Sequence, residues 1–230
     1  MTKYRAALIA MFLCAWIWAA IHPVHPRDWL LENYLVFIAV PIILVSGAYF
    51  KLSDLSYTLI ALFMTLHMIG SHYTYAEVPF GYTLQSWLGA GRNMYDRLVH
   101  FSFGFLLAYP MREVFVRITK AKGFWGLYLP VDLTLAASAV YEIIEWITAA
   151  NVDTSAGLAF LGTQGDIWDE QKDMLMAGLG AAFAMLIIGA INFAYNKEFA
   201  AEFRSSLSIP DSDAPLGTQL LKSWRQRPVD

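Results

Sequence analysis

One cysteine, Cys14, is all that 230 residues supply, so the chain can form no internal disulfide and no thiolate metal site. Charge is scarce as well: 15% of residues are Asp, Glu, Lys or Arg, and they sum to a formal −3. No basic stretch interleaved with aromatics is present, which removes nucleic acid from the expected partners. There is no His-Glu-x-x-His, no phosphate-binding Walker loop, no Gly-x-Ser-x-Gly elbow and no dinucleotide fingerprint. Internal repeats and low-complexity runs are missing too.

Apolar length is what the chain has in quantity. Hydrophobic residues make up 57% of it, too many for an ordinary soluble domain. They are gathered in long runs, the pattern of membrane helices. Six spans can be drawn, at Tyr4–Ile21, Asn33–Phe50, Leu55–Gly70, Leu98–Val116, Phe124–Ala149 and Met174–Tyr195. The fold class expected is therefore all-α, a polytopic membrane bundle over residues 1–196. Residues 197–230 read as a polar, mobile cytoplasmic tail. Lys3 and Arg5 ahead of Ala6–Ile21 fit a retained first helix better than a signal peptide, since no clean small-x-small cleavage site follows.

Lys and Arg set the expected orientation. With the N-terminus inside, twelve fall on one side of the six spans, and only Arg27, Arg92, Arg97 and Lys172 on the other. Both termini are thus expected in the cytoplasm of a bacterial cell, with the opposite face periplasmic. On that outer side lie a short turn at His22–Glu32, an aromatic-rich loop at Ser71–Arg97 suited to the headgroup region, and the loop Asn151–Asp173.

The outer side also collects the chemistry. Asp166, Asp169, Glu170 and Asp173 stand at the mouth of the last span. At about 100° per residue they occupy a face roughly 100° wide. Acidic residues favour a helix start without any ligand, which suffices for Asp166 and Glu170. Asp169 and Asp173, deeper on that face, are the better functional pair. Asp96 and His100 are four apart and share a helix face, where the aspartate can fix the imidazole tautomer. Glu142 and Glu145 sit in the outer part of an apolar span, where ionised groups are costly and face a cavity, partner or ion. His67 and His72 bracket the end of the third span. His22 and His25 flank Pro23 and read as interfacial.

These residues support three readings. In the leading one, Asp96, His100, Glu142, Glu145, Asp169 and Asp173 are ligands or acid–base groups around a divalent metal such as Zn, Mg or Mn. Arg92 or Arg97 would contact an anionic headgroup, and His67 and His72 are weaker candidates for proton transfer. The reaction would be metal-assisted hydrolysis or transfer on an envelope lipid. In the second, the protein is a scaffold or accessory subunit for a membrane-protein partner, and Arg92, Arg97 and Lys172 neutralise the carboxylates in a structural network. The third, a small transporter, would want acids deeper in the membrane, where Asp132 is the main example.

Four stretches, His67–Tyr75, Arg92–Phe101, Glu142–Trp146 and Gly165–Met174, resemble the YjdF-type bacterial inner-membrane proteins over roughly Ala6–Tyr195. That resemblance implies a membrane bundle and carries little about activity. The last three spans also resemble VanZ-like membrane proteins, whose pattern is Asp-Lys-x-x-His-Phe, Glu-x-x-Gln and Asp-x-x-x-Asn. Arg97, Glu145 and Asp173 stand here in place of its Lys, Gln and Asn, which makes this version more acidic. This likeness implies envelope-related work at most.

Overall fold

A computed structural model describes residues 2–152, 157 and 161–208. Eight α-helices occupy the described residues: α1 Lys3–Ala20, α2 Pro26–Tyr49, α3 Asp54–Tyr73, α4 Pro79–Leu88, α5 Tyr95–Val114, α6 Trp125–Ala150, α7 Asp169–Tyr195 and α8 Phe199–Ser205. No strand occurs among the described residues. The fold is the all-helical membrane bundle expected. Residues 209–230 of the tail lie outside the described residues. Its beginning, α8, docks on the start of α6 through Gly123 N–H donating to Glu202 and Phe124 N–H to Ser206 Oγ, each at 2.9 Å.

Local signals account for the helix ends. Pro26 and Pro79 stand at the first turns of α2 and α4, where a missing N–H costs nothing. Ser53 caps α3 by accepting from Ser56 N–H. Pro41, Pro110 and Pro130 fall inside helices, and α5 passes Pro110 before loosening into a π-helical turn at Phe115–Thr119.

Two observed boundaries differ from the expected spans in ways that matter. The second helix begins at Pro26 rather than Asn33, so most of the expected turn is helical and Asp28 and Glu32 are buried in the bundle. The last helix begins at Asp169, leaving Asp166 in the turn before it. By length and composition α1, α2, α6 and α7 are apolar enough to cross a membrane. The other two expected spans, α3 and α5, are 20 residues each, about 30 Å of helix. Their apolar character is diluted, in α5 by Asp96, Arg97, Arg112 and Glu113, and in α3 by His67, His72 and several hydroxyls.

Those two more polar helices are central. α5 packs against α3, α6 and α7, and α1 covers α3. The α5–α7 approach is set by glycine: a Cβ built on Gly104 would collide with the Ala177 carbonyl, and one on Gly180 with the Phe101 carbonyl. Small residues give such closeness in lipid, where packing replaces the hydrophobic drive. Large exposed side chains such as Ile38, Ile42, Val45, Leu186 and Ile191 face outward, as a lipid-facing surface requires.

Alternation up and down the bundle brings particular ends together. Arg5 pairs with Asp54 at 2.7 Å, joining the starts of α1 and α3. At the opposite end the Ala19 carbonyl lies 3.2 Å from His72 Nδ1, joining their finishes. That second end also holds the starts of α2, α5 and α7 and the finish of α6. The functional candidates meet there.

Candidate functional site

Asn93 organises the entrance to α5. Its side chain accepts from Tyr95 N–H at 3.0 Å and donates to the Val78 carbonyl at 2.9 Å, while its own N–H donates to Gln164 at 2.9 Å. One buried amide thus fixes α4, α5 and the turn before α7 in register. Asp96, Arg97 and His100 follow within the first two turns of α5.

Arg97 is 6% exposed at its side chain and reaches three aspartates: Asp166 at 3.4 Å, and Asp169 and Asp173 in close ion pairs. Arg92 pairs closely with Asp169 and stands 3.4 Å from Asp96. The same two terminal nitrogens also donate to the Gly162 and Thr163 carbonyls at 3.1 and 3.3 Å, while Arg92 Nε is buried without a partner. Gly162 holds φ at +59°, a left-handed turn that suits glycine. Lys172 binds Asp166 at 2.6 Å. That pairing and the Trp168 N–H hold the Asp166 carboxyl below the usual aspartate range.

The two arginines therefore turn inward onto carboxylates. Asp169 Oδ1 is shared by both guanidinium groups, and Asp169 is not in the close Asp96–His100–Asp173 group.

What Arg92 and Arg97 do leave is specific. Asp96 offers Oδ2 to Arg92 and Oδ1 to His100 Nε2, 3.5 Å away. Asp173 offers Oδ2 to Arg97 and Oδ1 to the same His100 Nε2, 4.0 Å away. Two ligands about 2.1 Å from one cation lie about 3.0–4.2 Å apart, so these gaps are the size a shared ion needs. Ligand atoms of Asp96, His100 and Asp173 all fall within 4.8 Å of one another. On the other side of the ring, His100 Nδ1 faces Glu142 Oε1 at 3.7 Å. That places a carboxylate where metal-binding histidines keep the partner that orients them.

The trio forms one wall of a partly enclosed cavity of about 190 Å³ between α2, α3, α5, α6 and α7. Asp173 Oδ1, Glu142 Oε1 and Ser138 Oγ are buried with no hydrogen-bond partner, and all three residues line it. Glu145 lines it too, away from any ion pair among the described residues. His67 also lines it, but both its nitrogens are engaged, Nδ1 with the Tyr75 hydroxyl and Nε2 at 3.2 Å from the Glu32 carbonyl. His72 stands outside, stacked on Trp18 with ring centres 4.3 Å apart.

Of the six expected ligands, the fold thus gathers three around one point and sets Glu142 behind the imidazole. Asp169 is given to the arginines, and Glu145 lies elsewhere on the wall. Sequence reasoning missed Glu32, Tyr75 and Tyr141, which share the cavity. The signal for Glu32 was Pro26, a helix-starting proline that carries α2 far enough back to include it.

The profile of a family described as "Predicted membrane protein (DUF2238)" matches residues 4–193, nearly all of the bundle. The chain belongs to that family. The chain is also similar to the Escherichia coli (strain K12) protein named "Inner membrane protein YjdF", 43% identical over 161 residues, 70% of this chain and 77% of the relative. No solved structure matches. Membership agrees with the integral membrane bundle, and the matched span covers every cavity-lining helix.

Proposed function

We propose that this DUF2238 protein is a metal-assisted hydrolase or transferase of the bacterial inner membrane, acting at the outer membrane face on the headgroup of an envelope lipid or similar amphiphile. One observation carries the reading. Two aspartates on different helices each have one oxygen tied by an arginine and the other turned toward the same imidazole nitrogen. Asp96, His100 and Asp173 would hold the ion. Three protein ligands leave coordination open, as catalytic sites require, and the mixed nitrogen and oxygen set suits Zn or Mn, with Mg a poorer fit to imidazole. Such an ion would lower the pKa of a water and polarise a phosphoryl or carbonyl oxygen.

The chain's own contributions follow from its contacts. Arg92 and Arg97 hold the aspartates in place and offset their charge, while Glu142 stands where it can fix the imidazole tautomer. Metal analysis of protein purified without chelator, followed by readdition of Zn, Mn or Mg, tests the reading. About one ion per chain is expected, with His100→Ala and Asp173→Asn each losing it. Wild-type protein that retains and takes up none of the three ions would overturn it.

A non-enzymatic scaffold remains the second reading because of the Arg92–Asp169–Arg97 pairing, a buried ionic contact made without any ligand. It predicts that Asp169→Asn lowers stability while metal content, if any, is unrelated to function.

A further inference from the structure

Beyond the Asp96–His100–Asp173 trio, the cavity wall is acidic and has no cation of its own. Seven carboxyl groups line the cavity, and the only basic side chains among its lining residues are His67 and His100. Arg92 and Arg97 are not on the wall and are committed to aspartates. Glu32, 5% exposed, receives a hydrogen bond from the Tyr141 hydroxyl at 3.2 Å and has no ion pair among the described residues. Glu145 has none either.

An acidic wall alone is no argument for a ligand, but two further observations point to one. Ser138 Oγ and Glu142 Oε1, four residues apart on α6, have no hydrogen-bond partner, although Ser138 is 2% and Glu142 6% exposed. Leaving a buried polar group unpaired costs about 1–3 kcal/mol; Glu142 Oε1 has His100 Nδ1 3.7 Å away, so Ser138 Oγ is the one of the two left for a ligand. Tyr75 and Tyr141 line the same cavity. Carboxylates and tyrosines around one space are the chemistry that recognises an ammonium group. A second anion there would meet only repulsion.

Size agrees. The cavity, of about 190 Å³, has room for a small headgroup, with acyl chains left in the bilayer.

We propose that Glu32, Glu145 and Tyr141 form a subsite for the ammonium of an amine-bearing headgroup, so that the substrate class is a zwitterionic, ethanolamine-type lipid. Its phosphate would lie toward Asp96, His100 and Asp173. This deepens the metal-assisted reading and rests on it.

The experiment compares two soluble probes with identical chains, dihexanoylphosphatidylethanolamine and dihexanoylphosphatidylglycerol, binding to the full chain in detergent by calorimetry, with bound metal measured on the same samples. Ethanolamine binding should be tighter by about tenfold or more, the scale of one charged hydrogen bond. Glu32→Gln and Glu145→Gln should each erase most of that preference and leave metal content unchanged. Equal affinity of the wild-type protein for the two probes, or preference for the glycerol probe, overturns the proposal, and this arm needs no variant to fold. Metal retained without ethanolamine preference removes the subsite and leaves the metal reading standing. Preference retained without metal upholds the ammonium subsite and removes the metal.

Discussion

Arg97 and Asp173 are ion-paired between α5 and α7, yet only Asp173 Oδ2 is used: Oδ1 is buried, lacks a hydrogen-bond partner and faces His100 Nε2 at 4.0 Å. A network built for stability alone has no reason to leave that oxygen open. The same guanidinium holds Asp169 and Asp166, so one buried cation supports both the bundle and the candidate metal centre.

Arg97→Leu should therefore be the most damaging single change at this end. Removing one partner of a buried pair costs about 3–5 kcal/mol because the other charge is left uncompensated, and here several carboxylates lose their neighbour. Thermal unfolding in detergent, followed by helical circular dichroism, should show a large loss of stability. Arg92→Leu should cost less, since Arg97 still holds Asp169.

Substitutions at the trio should separate from those at Asp169. His100→Ala, at a residue whose ring nitrogens face carboxylates at 3.5–4.0 Å, should lower metal affinity by tenfold or more and change the melting temperature little. Asp169→Asn should do the reverse, because its oxygen serves two arginines. Metal titration and melting on the same variants check both; parallel losses in all of them would favour the structural network.

The bundle was legible in the sequence because apolar length needs no tertiary information. Convergence of Asp96, His100 and Asp173 was legible too, since helices crossing alternately must bring those ends to one level. Partner choice was not. That Asp169 goes to arginines and Asp173 keeps a free oxygen depends on helix rotation within the bundle, which periodicity in a uniformly apolar run does not specify. Glu32 was hidden for a simpler reason: a polar segment between spans reads as a turn, and only the proline at its head marks a helix start.

Glycine at positions 104 and 180 predicts a packing failure that is independent of the cavity. Gly104→Leu forces a side chain into the Ala177 carbonyl, and overpacking a close contact costs about 1–3 kcal/mol or more. Lower yield of folded protein and a reduced melting temperature are expected, while Gly162→Ala, where a Cβ meets nothing within 4 Å, should be limited to the milder strain of its positive φ.

Asp166 carries a pH dependence whose sign follows from its shift. Its folded carboxyl is held below the ordinary value by the Lys172 ammonium and the Trp168 N–H. The stabilisation is therefore present above the ordinary aspartate pKa of about 3.9 and is lost as pH falls through the lower folded value. Lys172→Ala should return the carboxyl toward the ordinary range, visible as an upward shift in the titration of ¹³C-labelled Asp166.

Orientation can be tested on the residues that frame the cavity. Among the described residues nine Lys and Arg fall at one end of the spans and four at the other, which predicts the cavity end outside. Cys14 lies on α1 and is exposed on the bundle surface, so a Cys14→Ser background removes the one native thiol. In that background Trp168→Cys, at an exposed position beside the cavity, should react with a membrane-impermeant maleimide in intact spheroplasts. Lys120→Cys, exposed at the opposite end, should react only after lysis. The reverse pattern would put the carboxylate cavity in the cytoplasm and exclude lipids of the outer leaflet as its substrates, whatever the metal content proves to be.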